Sequence, residues 1–195
     1  MTIFEWIFLI AEIAVETIRF PHRMRNKRDR RAHVQAESRI GIPEITLDLM
    51  GFTGMQVLPL VYIFSGWPGS ANYRLPAWAG WTGTLIMAGA LWLLWRAHRD
   101  LASNWSPNLE LQKQHSLVTT GVYSRLRHPI YTAVWLWCIA QLLLIQNWIA
   151  GPAGLITFGL VYFTRLPREE KMMLDKFGGE YADYMKRVGG IFPRL

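Results

Sequence analysis

The sequence predicts an all-α, polytopic integral membrane protein with about five transmembrane helices, because its apolar residues are gathered into long runs. Most of these runs approach the roughly 20 residues that a helix needs to cross a bilayer. They cover 1–20, 44–64, 77–95, 130–149 and 153–166. The chain also has 10 tryptophans among its 195 residues, and tryptophan is enriched where helices leave the membrane. Together these features favour a membrane protein over the buried helices of a soluble one.

The basic residues predict how the helices are oriented. Lysine and arginine are abundant in three segments, 21–43, 96–128 and the tail from Arg165 onward. The loop 65–76 holds one basic residue and the turn 147–154 holds none. Because cytoplasmic loops carry the excess of positive charge, we expect an external N-terminus and a cytoplasmic C-terminus. The net charge of +7 then follows from topology, and the basic segments are expected to meet anionic lipid rather than nucleic acid.

The first apolar run carries three acidic residues, which is unusual for a membrane span. Glu5, Glu12 and Glu16 recur at helical spacings. We therefore expect them to share one face that points at protein or at the membrane interface. The run lacks the basic n-region and the small-residue cleavage site of a typical signal peptide. The whole chain, 1–195, is expected to form a single domain whose first 97 residues are three spans and a basic loop.

The C-terminal half predicts a helical hairpin followed by a cytoplasmic helix. The turn 147–154 is so short that the fourth and fifth spans are expected to pack antiparallel. The fifth span is expected to end at Arg165, with Pro167 just beyond it. Apolar and aromatic residues then recur at helical spacing over 168–188, which predicts an amphipathic helix broken at Gly178 and Gly179.

The segment "QKQHSLVTTGVYSRLRHPIY", residues 112–131, combines polar, basic and aromatic side chains at the start of the fourth span. Pro129 suits the first turn of a helix, where its missing N–H would be unpaired in any case. The free N–H groups and partial positive charge of that helix end suit an anionic group of a ligand. Tyr123 and Tyr131 offer ring faces that stack on a base or attract a cation. The hairpin returns Arg165, Glu169 and Glu170 to the same membrane surface.

Three strings in this half carry a family resemblance. "HSLVTTGVYSRLRHPIY", then "RLPREE" and "FGGEYADYMKRV", resemble the isoprenylcysteine carboxyl methyltransferases and their prokaryotic relatives, with the phospholipid N-methyltransferases as wider relatives. The resemblance covers 98–195, whereas the first three spans match in hydropathy alone. It implies that 98–195 is the catalytic half. It also implies S-adenosyl-L-methionine as the cofactor and S-adenosyl-L-homocysteine as the product.

The resemblance also implies roles for individual residues. The implied cofactor contacts are His115, Ser116, Leu117, Val118, Tyr123, His128, Pro129, Ile130, Tyr131 and Glu169. Arg165 and Glu169 are the implied catalytic residues, and Arg165 is similar to the family's substrate-site arginine. A further polar contact upstream of the histidine stays open between Asn108, Glu110 and Gln112.

The implied reaction is methyl transfer to a lipidic acceptor, most simply the carboxylate of a prenylated cysteine. A carboxylate is already a nucleophile, so it needs only positioning and desolvation. A phospholipid amine or a thiol would first have to lose a proton, and Glu169, Glu170 or a histidine would then act as the base. The implied location is a multi-pass protein with its active site facing the cytoplasm, in the cell membrane of a prokaryote or the endoplasmic reticulum of a eukaryote.

Other functions are less consistent with the sequence. A membrane adaptor that binds anionic lipid through 21–43 would leave the polar strings of the C-terminal half without a purpose. Sterol reductases that use a nicotinamide cofactor share a related scaffold, and the brevity of this chain argues against them. The single cysteine, Cys138, excludes a disulfide framework or a cysteine-based metal site within one chain, and we expect no metal.

Overall fold

The computed structural model describes residues 1–32, 42–101 and 117–194, and these residues form helices joined by turns, with no β-strand among them. In chain order the α-helices are α1 (Ile3–Ala32), α2 (Ile42–Phe52), α3 (Leu58–Ser65), α4 (Ala77–Leu101), α5 (Pro129–Leu144), α6 (Ala153–Phe177) and α7 (Gly179–Arg187). The all-α prediction is therefore confirmed over the described residues.

Within the described ranges, two helical segments are long and apolar enough to cross a membrane by length and composition. They are Glu44–Ser65, of 22 residues, and Ala77–Leu101, of 25 residues. Helix α5 is also apolar but has only 16 residues. Many large apolar side chains lie exposed on the outside of the helices, as they do where lipid is the solvent. They include Trp6, Ile10, Phe64, Trp78, Leu85, Trp92, Ile156 and Phe163.

Helices α2 and α3 are joined by a π-helical turn, Thr53–Val57, so that Glu44–Ser65 is one continuous rod. A π-turn changes which backbone carbonyls find a partner within the helix. Here the Gly54 carbonyl accepts a hydrogen bond of 3.0 Å from the buried Gln141 side chain, which also donates to the Ala150 carbonyl. A Cβ atom on Gly54 would lie 2.1 Å from the Thr157 hydroxyl. The missing side chain thus lets the rod pack closely on α6.

The predicted hairpin of spans four and five is present as α5 and α6, which pack against each other. The prediction that the fourth span runs to residue 149 is wrong, since α5 ends at Leu144. The cause is Asn147, which is fully buried. Its side-chain oxygen accepts from the backbone N–H groups of Ile149 and Ala150, and its nitrogen donates to the Pro68 carbonyl. These bonds stabilise a turn in place of another helical turn.

The predicted helix end at Arg165 is also wrong, because α6 continues through Pro167 to Phe177. A proline inside a helix removes one backbone hydrogen bond and crowds the preceding turn. Ion pairs on both sides of the proline hold this part of the helix in place. Arg165 and Arg168 pair with acidic residues of α2, and Glu170 pairs with the segment before α5. The predicted break at Gly178 is confirmed, since this residue has φ of +52° between α6 and α7.

The acidic residues of the first apolar run lie in two different environments, one buried and one exposed. Glu5 and Glu12 are buried against the rest of the protein, as the predicted protein-facing surface of the helix requires. Glu16 lies exposed and forms an ion pair of 2.9 Å with Arg23, two helical turns further along α1. Helix α1 continues well beyond the predicted span, through Pro21 to Ala32.

Candidate active site

The backbone before α5 is fixed by the C-terminal segment. The backbone N–H of Arg127 donates to the Gly189 carbonyl at 2.8 Å, and the N–H of His128 donates to the Gly190 carbonyl at 3.1 Å. One turn into α5, the Thr132 hydroxyl donates to the Ile191 carbonyl at 2.9 Å. Because the last residues of the chain bind this segment, the side chains around the start of α5 have a defined position. Pro129 is the first residue of α5, as predicted.

Arg127 joins the start of α5 to α6 and to the C-terminal segment that follows α7. Its guanidinium donates to a Glu170 carboxylate oxygen at 2.7 Å and to the Val188 carbonyl. The same Glu170 oxygen lies 3.3 Å from His128 Nε2. The Arg127 side chain is 13% exposed and that of Glu170 is 21% exposed, so this ion pair is largely shielded from water. Glu170 therefore positions Arg127 and His128 at once.

Glu169, the neighbouring residue, faces a different set of groups. The Tyr131 hydroxyl donates a hydrogen bond to Glu169 Oε1. Glu169 Oε2 lies 3.9 Å from His128 Nδ1, which is beyond hydrogen-bonding distance. The rings of His128 and Tyr131 are stacked, with centroids 5.7 Å apart. This arrangement places one carboxylate oxygen beside two near-parallel rings.

The two glutamates differ in their electrostatics. Hydrogen bonding from His128, together with the Arg127 guanidinium, lowers the pKa of Glu170 to about 2. Burial raises the pKa of Glu169, against the opposing effects of the Tyr131 hydroxyl and nearby cations. Glu170 is thus an anion at neutral pH, and it holds Arg127 and His128 in place. The charged form of Glu169 would instead be stabilised by a cationic or hydroxyl-bearing ligand.

Arg165 lies one helical turn before Glu169 and pairs with α2. Its Nη2 atom is 2.7 Å from Asp48 Oδ1, and its side chain is 14% exposed. A second ion pair follows one turn on, between Arg168 and Glu44 at 3.6 Å. The end of α6 therefore contacts α2 through its arginines and the start of α5 through its glutamates.

The remaining predicted cofactor residues occupy different environments. Tyr123 is buried, and its carbonyl accepts a hydrogen bond from the Tyr184 hydroxyl of α7. Leu117 packs against the buried tyrosines of α7, and Val118 is half-buried beside it. Pro129 is fully buried and Ile130 packs against the core between α1, α4 and α5.

Some of the predicted site falls outside the described residues. This applies to His115 and Ser116, and to the open candidates Asn108, Glu110 and Gln112. The structure brings together Tyr131, His128 and Glu169, and it places Arg165 one turn away along α6.

Sequence reasoning did not identify two of the groups that hold the site together. The sequence interpretation places Glu170 near Arg165 and Glu169 and names it as a possible base, yet the structure shows it as the shared partner of Arg127 and His128. Asp48 was not considered at all. The available signal is that Glu44 and Asp48, four residues apart, share one face of α2, and that Arg165 and Arg168, three residues apart, share one face of α6.

The described part of the site fits S-adenosyl-L-methionine by its donor and acceptor set. The cofactor carries an amine and ribose hydroxyls, for which Glu169 Oε2 is a suitable acceptor. It also carries an adenine and a sulfonium, which suit the ring faces of His128 and Tyr131.

Comparisons with known proteins agree with this chemistry. Residues 81–175 match the model of the isoprenylcysteine carboxyl methyltransferase family. Protein-S-isoprenylcysteine O-methyltransferases of Mus musculus and Homo sapiens are 34% and 33% identical over 124 residues, which is 63% of this chain and 43% of each relative. The chain thus matches less than half the length of these relatives. The solved structure of the eukaryotic intramembrane Ras methyltransferase ICMT matches with a TM-score of 0.53 and 25% identity, over 80% of this chain and 54% of that chain.

Proposed function

Because residues 81–175 match the isoprenylcysteine carboxyl methyltransferase family, we propose that this chain transfers a methyl group from S-adenosyl-L-methionine to the carboxylate of a prenylated cysteine. The observation that carries this proposal is the position of Glu169 and Arg165 one helical turn apart on α6, with Glu169 bound to Tyr131 of α5. One short stretch of helix then holds a cofactor-binding acid and a carboxylate-binding arginine.

Glu169, Tyr131 and His128 form the cofactor side of the proposed site. Glu169 accepts hydrogen bonds from the amine or ribose hydroxyls, and Tyr131 fixes the orientation of that carboxylate. The aromatic rings of His128 and Tyr131 flank the adenine or the sulfonium. Glu170 acts through His128 and Arg127 rather than by contact with the cofactor. When bound, the cofactor supplies an electrophilic methyl group on a sulfonium cation.

Arg165 forms the acceptor side. Its guanidinium orients the substrate carboxylate by a forked pair of hydrogen bonds. A carboxylate oxygen held by Arg165 would accept the methyl group that the bound cofactor supplies, and the two charged reactants would become a neutral ester and a neutral thioether. No proton moves, so no general base is required. The protein contributes positioning and the exclusion of water from the two charges.

The proposal includes a membrane topology. Five spans, formed by the apolar parts of α1, the rod Glu44–Ser65, α4, α5 and α6, would place the start of α5 and residues 165–170 of α6 at the cytoplasmic surface. The exposed apolar side chains of the helices support contact with lipid. In this arrangement the bilayer supplies the prenylated substrate from the side, and the cytoplasm supplies the cofactor. The whole chain then acts as one membrane methyltransferase domain.

A second candidate is N- or S-methylation of a phospholipid or another small molecule. It is favoured by the raised pKa of Glu169, which makes this carboxyl a better proton acceptor than an ordinary glutamate. Carboxyl methylation remains the better account because Arg165 offers a guanidinium to an anionic acceptor, and an amine would be repelled by it.

The test uses membranes that contain the protein, methyl-labelled S-adenosyl-L-methionine, native lipids and an added farnesylcysteine analogue. Label on the analogue that base releases as volatile methanol, and that is lost in Arg165→Ala and His128→Ala, supports carboxyl methylation. Base-stable label in the lipid fraction supports the second candidate. Absence of label on either acceptor, with the protein folded, contradicts both.

A further inference from the structure

The guanidinium that we assign to the substrate carboxylate is bound by a carboxylate of the chain itself. Arg165 Nη2 lies 2.7 Å from Asp48 Oδ1. This is a charge-assisted contact of the same kind that a prenylcysteine carboxylate would make. A substrate that approaches Arg165 therefore meets a site whose charge is already neutralised.

The two partners differ in their freedom to move. The Arg165 side chain is 14% exposed, whereas that of Asp48 is 55% exposed. Arg165 is enclosed by protein, whereas more than half of the Asp48 side chain is exposed and can turn towards water. Arg19 of α1 also lies close enough for its charge to interact with that of Asp48. The ion pair can therefore open from the Asp48 side, where water and a second cation are available.

The guanidinium is also incompletely satisfied. Arg165 Nε is buried and has no hydrogen-bond partner among the described residues. Nε and Nη2 form the side edge of a guanidinium, which matches the two oxygens of a carboxylate. Asp48 uses only the Nη2 half of that edge. A substrate carboxylate that binds both atoms would satisfy Nε and would have to displace Asp48 from Nη2.

We propose that Asp48 is a specificity-determining residue, an internal carboxylate that only an anionic acceptor displaces from Arg165. The proposal rests on the proposed function of Arg165 in carboxyl methylation. The proposal also accounts for release of the product. Methylation converts the acceptor to a neutral ester, which no longer competes for the guanidinium, and Asp48 then returns to Arg165 as the product leaves.

The chain offers a matched control in the neighbouring ion pair. Glu44 and Arg168 join the same two helices one turn away, at 3.6 Å. The Arg168 side chain is 54% exposed and that of Glu44 is 14% exposed, so this pair has one buried and one exposed partner, as the Asp48–Arg165 pair does. Loss of either pair removes one contact between α2 and α6, but only Asp48 touches the proposed acceptor site.

The experiment measures the affinity of the purified protein for farnesylcysteine with a free carboxylate and for its methyl ester. Wild type, Asp48→Asn and Glu44→Gln are compared, with Arg165→Ala as the reference for loss of the guanidinium. The ratio of the two affinities is the readout, because both ligands are measured on one preparation and any unfolded fraction cancels. We expect Asp48→Asn to favour the acid by roughly three- to tenfold more than wild type does, as expected for loss of a competing ion pair. Glu44→Gln should keep the wild-type ratio.

Two results would overturn the inference in distinguishable ways. If wild type prefers the acid, and loses that preference in Arg165→Ala, but Asp48→Asn leaves the ratio unchanged or lowers it, Asp48 is only a structural partner. If wild type shows no preference for the acid that depends on Arg165, the proposed function of Arg165 fails and the role of Asp48 fails with it.

Discussion

The carboxylate of Glu170 accepts a hydrogen bond of 2.7 Å from the guanidinium of Arg127, 43 residues earlier in the chain. This bond fixes the end of α6 against the segment that precedes α5. Glu169, the adjacent residue, instead binds Tyr131 inside the proposed cofactor site. Two successive glutamates of one helix therefore have different partners, one that holds the segment before α5 in place and one that faces the proposed cofactor site.

The first prediction concerns Glu170→Gln. The substitution removes the charge that neutralises Arg127, which is mostly shielded from solvent. We expect the free energy of unfolding to fall by about 2 kcal/mol, less than for a fully buried pair because both side chains keep some contact with solvent. Thermal unfolding in detergent measures this effect. Asp183→Asn, which breaks an exposed pair with Lys186, should leave the midpoint unchanged, and an equal drop in both variants would contradict the prediction.

The second prediction is the pH dependence of the same contribution. The pKa of Glu170 is lowered from 4.5 to about 2, first by its hydrogen bond with His128 and then by Arg127. A carboxyl with a depressed folded-state pKa adds stability above the unfolded value, and that stability is lost as the pH falls through the folded value. The stability difference between wild type and Glu170→Gln should therefore be largest above pH 4.5 and shrink towards pH 2. A difference that stays constant over this range would count against the assignment.

The third prediction is that the effect of Glu169→Gln on stability has the opposite pH dependence to that of Glu170→Gln. Burial raises the pKa of Glu169, so the stability associated with this carboxyl is complete below its ordinary value of 4.5 and declines as the pH rises through the folded-state value. Glutamine is neutral and can still accept the Tyr131 hydrogen bond. We expect Glu169→Gln to unfold no lower than wild type at pH 7 to 8, with an advantage that grows with pH. Unfolding midpoints at pH 5 and pH 8 test this, and a loss of stability at both would contradict it.

The fourth prediction concerns the turn before the site. Gly121 has φ of +62°, and a Cβ atom there would lie 2.1 Å from an Asp100 carboxylate oxygen. That oxygen accepts the Val122 N–H at 2.9 Å. Gly121→Ala should destabilise the protein by more than the left-handed strain of about 1 kcal/mol, since Asp100 must also move.

Gly66→Ala is the control for Gly121→Ala. Gly66 also has a positive φ, of +71°, but open space surrounds its missing side chain. Gly66→Ala should therefore show only the destabilisation that comes from left-handed backbone strain. Equal destabilisation of the two variants, measured as unfolding midpoints, would show that the Asp100 contact is not important.

The helices of this protein could be predicted from the sequence where local signals are strong. Pro129 marks the first residue of α5, and Gly178 marks the boundary between α6 and α7. The errors arose where tertiary contacts override such signals. Pro167 lies inside α6 because ion pairs on both sides hold that helix, and the buried Asn147 ends α5 early through hydrogen bonds that no periodic pattern reveals.

The candidate site, like the helices, could be predicted only in part from the sequence. His128, Tyr131, Arg165 and Glu169 were predicted through their family resemblance, and the structure brings three of them into one cluster with Arg165 a turn away. The roles of Glu170 and Asp48 depend on contacts between residues 42 or more positions apart in sequence. Such pairs become visible only when the helices are placed side by side.

The most direct test of the account measures S-adenosyl-L-homocysteine binding to the purified protein, because the start of α5 and the end of α6 are claimed to form one cofactor site. Wild type should bind, and His128→Ala should bind at least roughly tenfold more weakly, as loss of a buried polar contact predicts. Lys186→Ala, on the exposed face of α7, should bind like wild type, with unfolding midpoints measured for all three proteins. Folded wild type that does not bind the nucleoside, or His128→Ala that binds it equally well, would contradict the account.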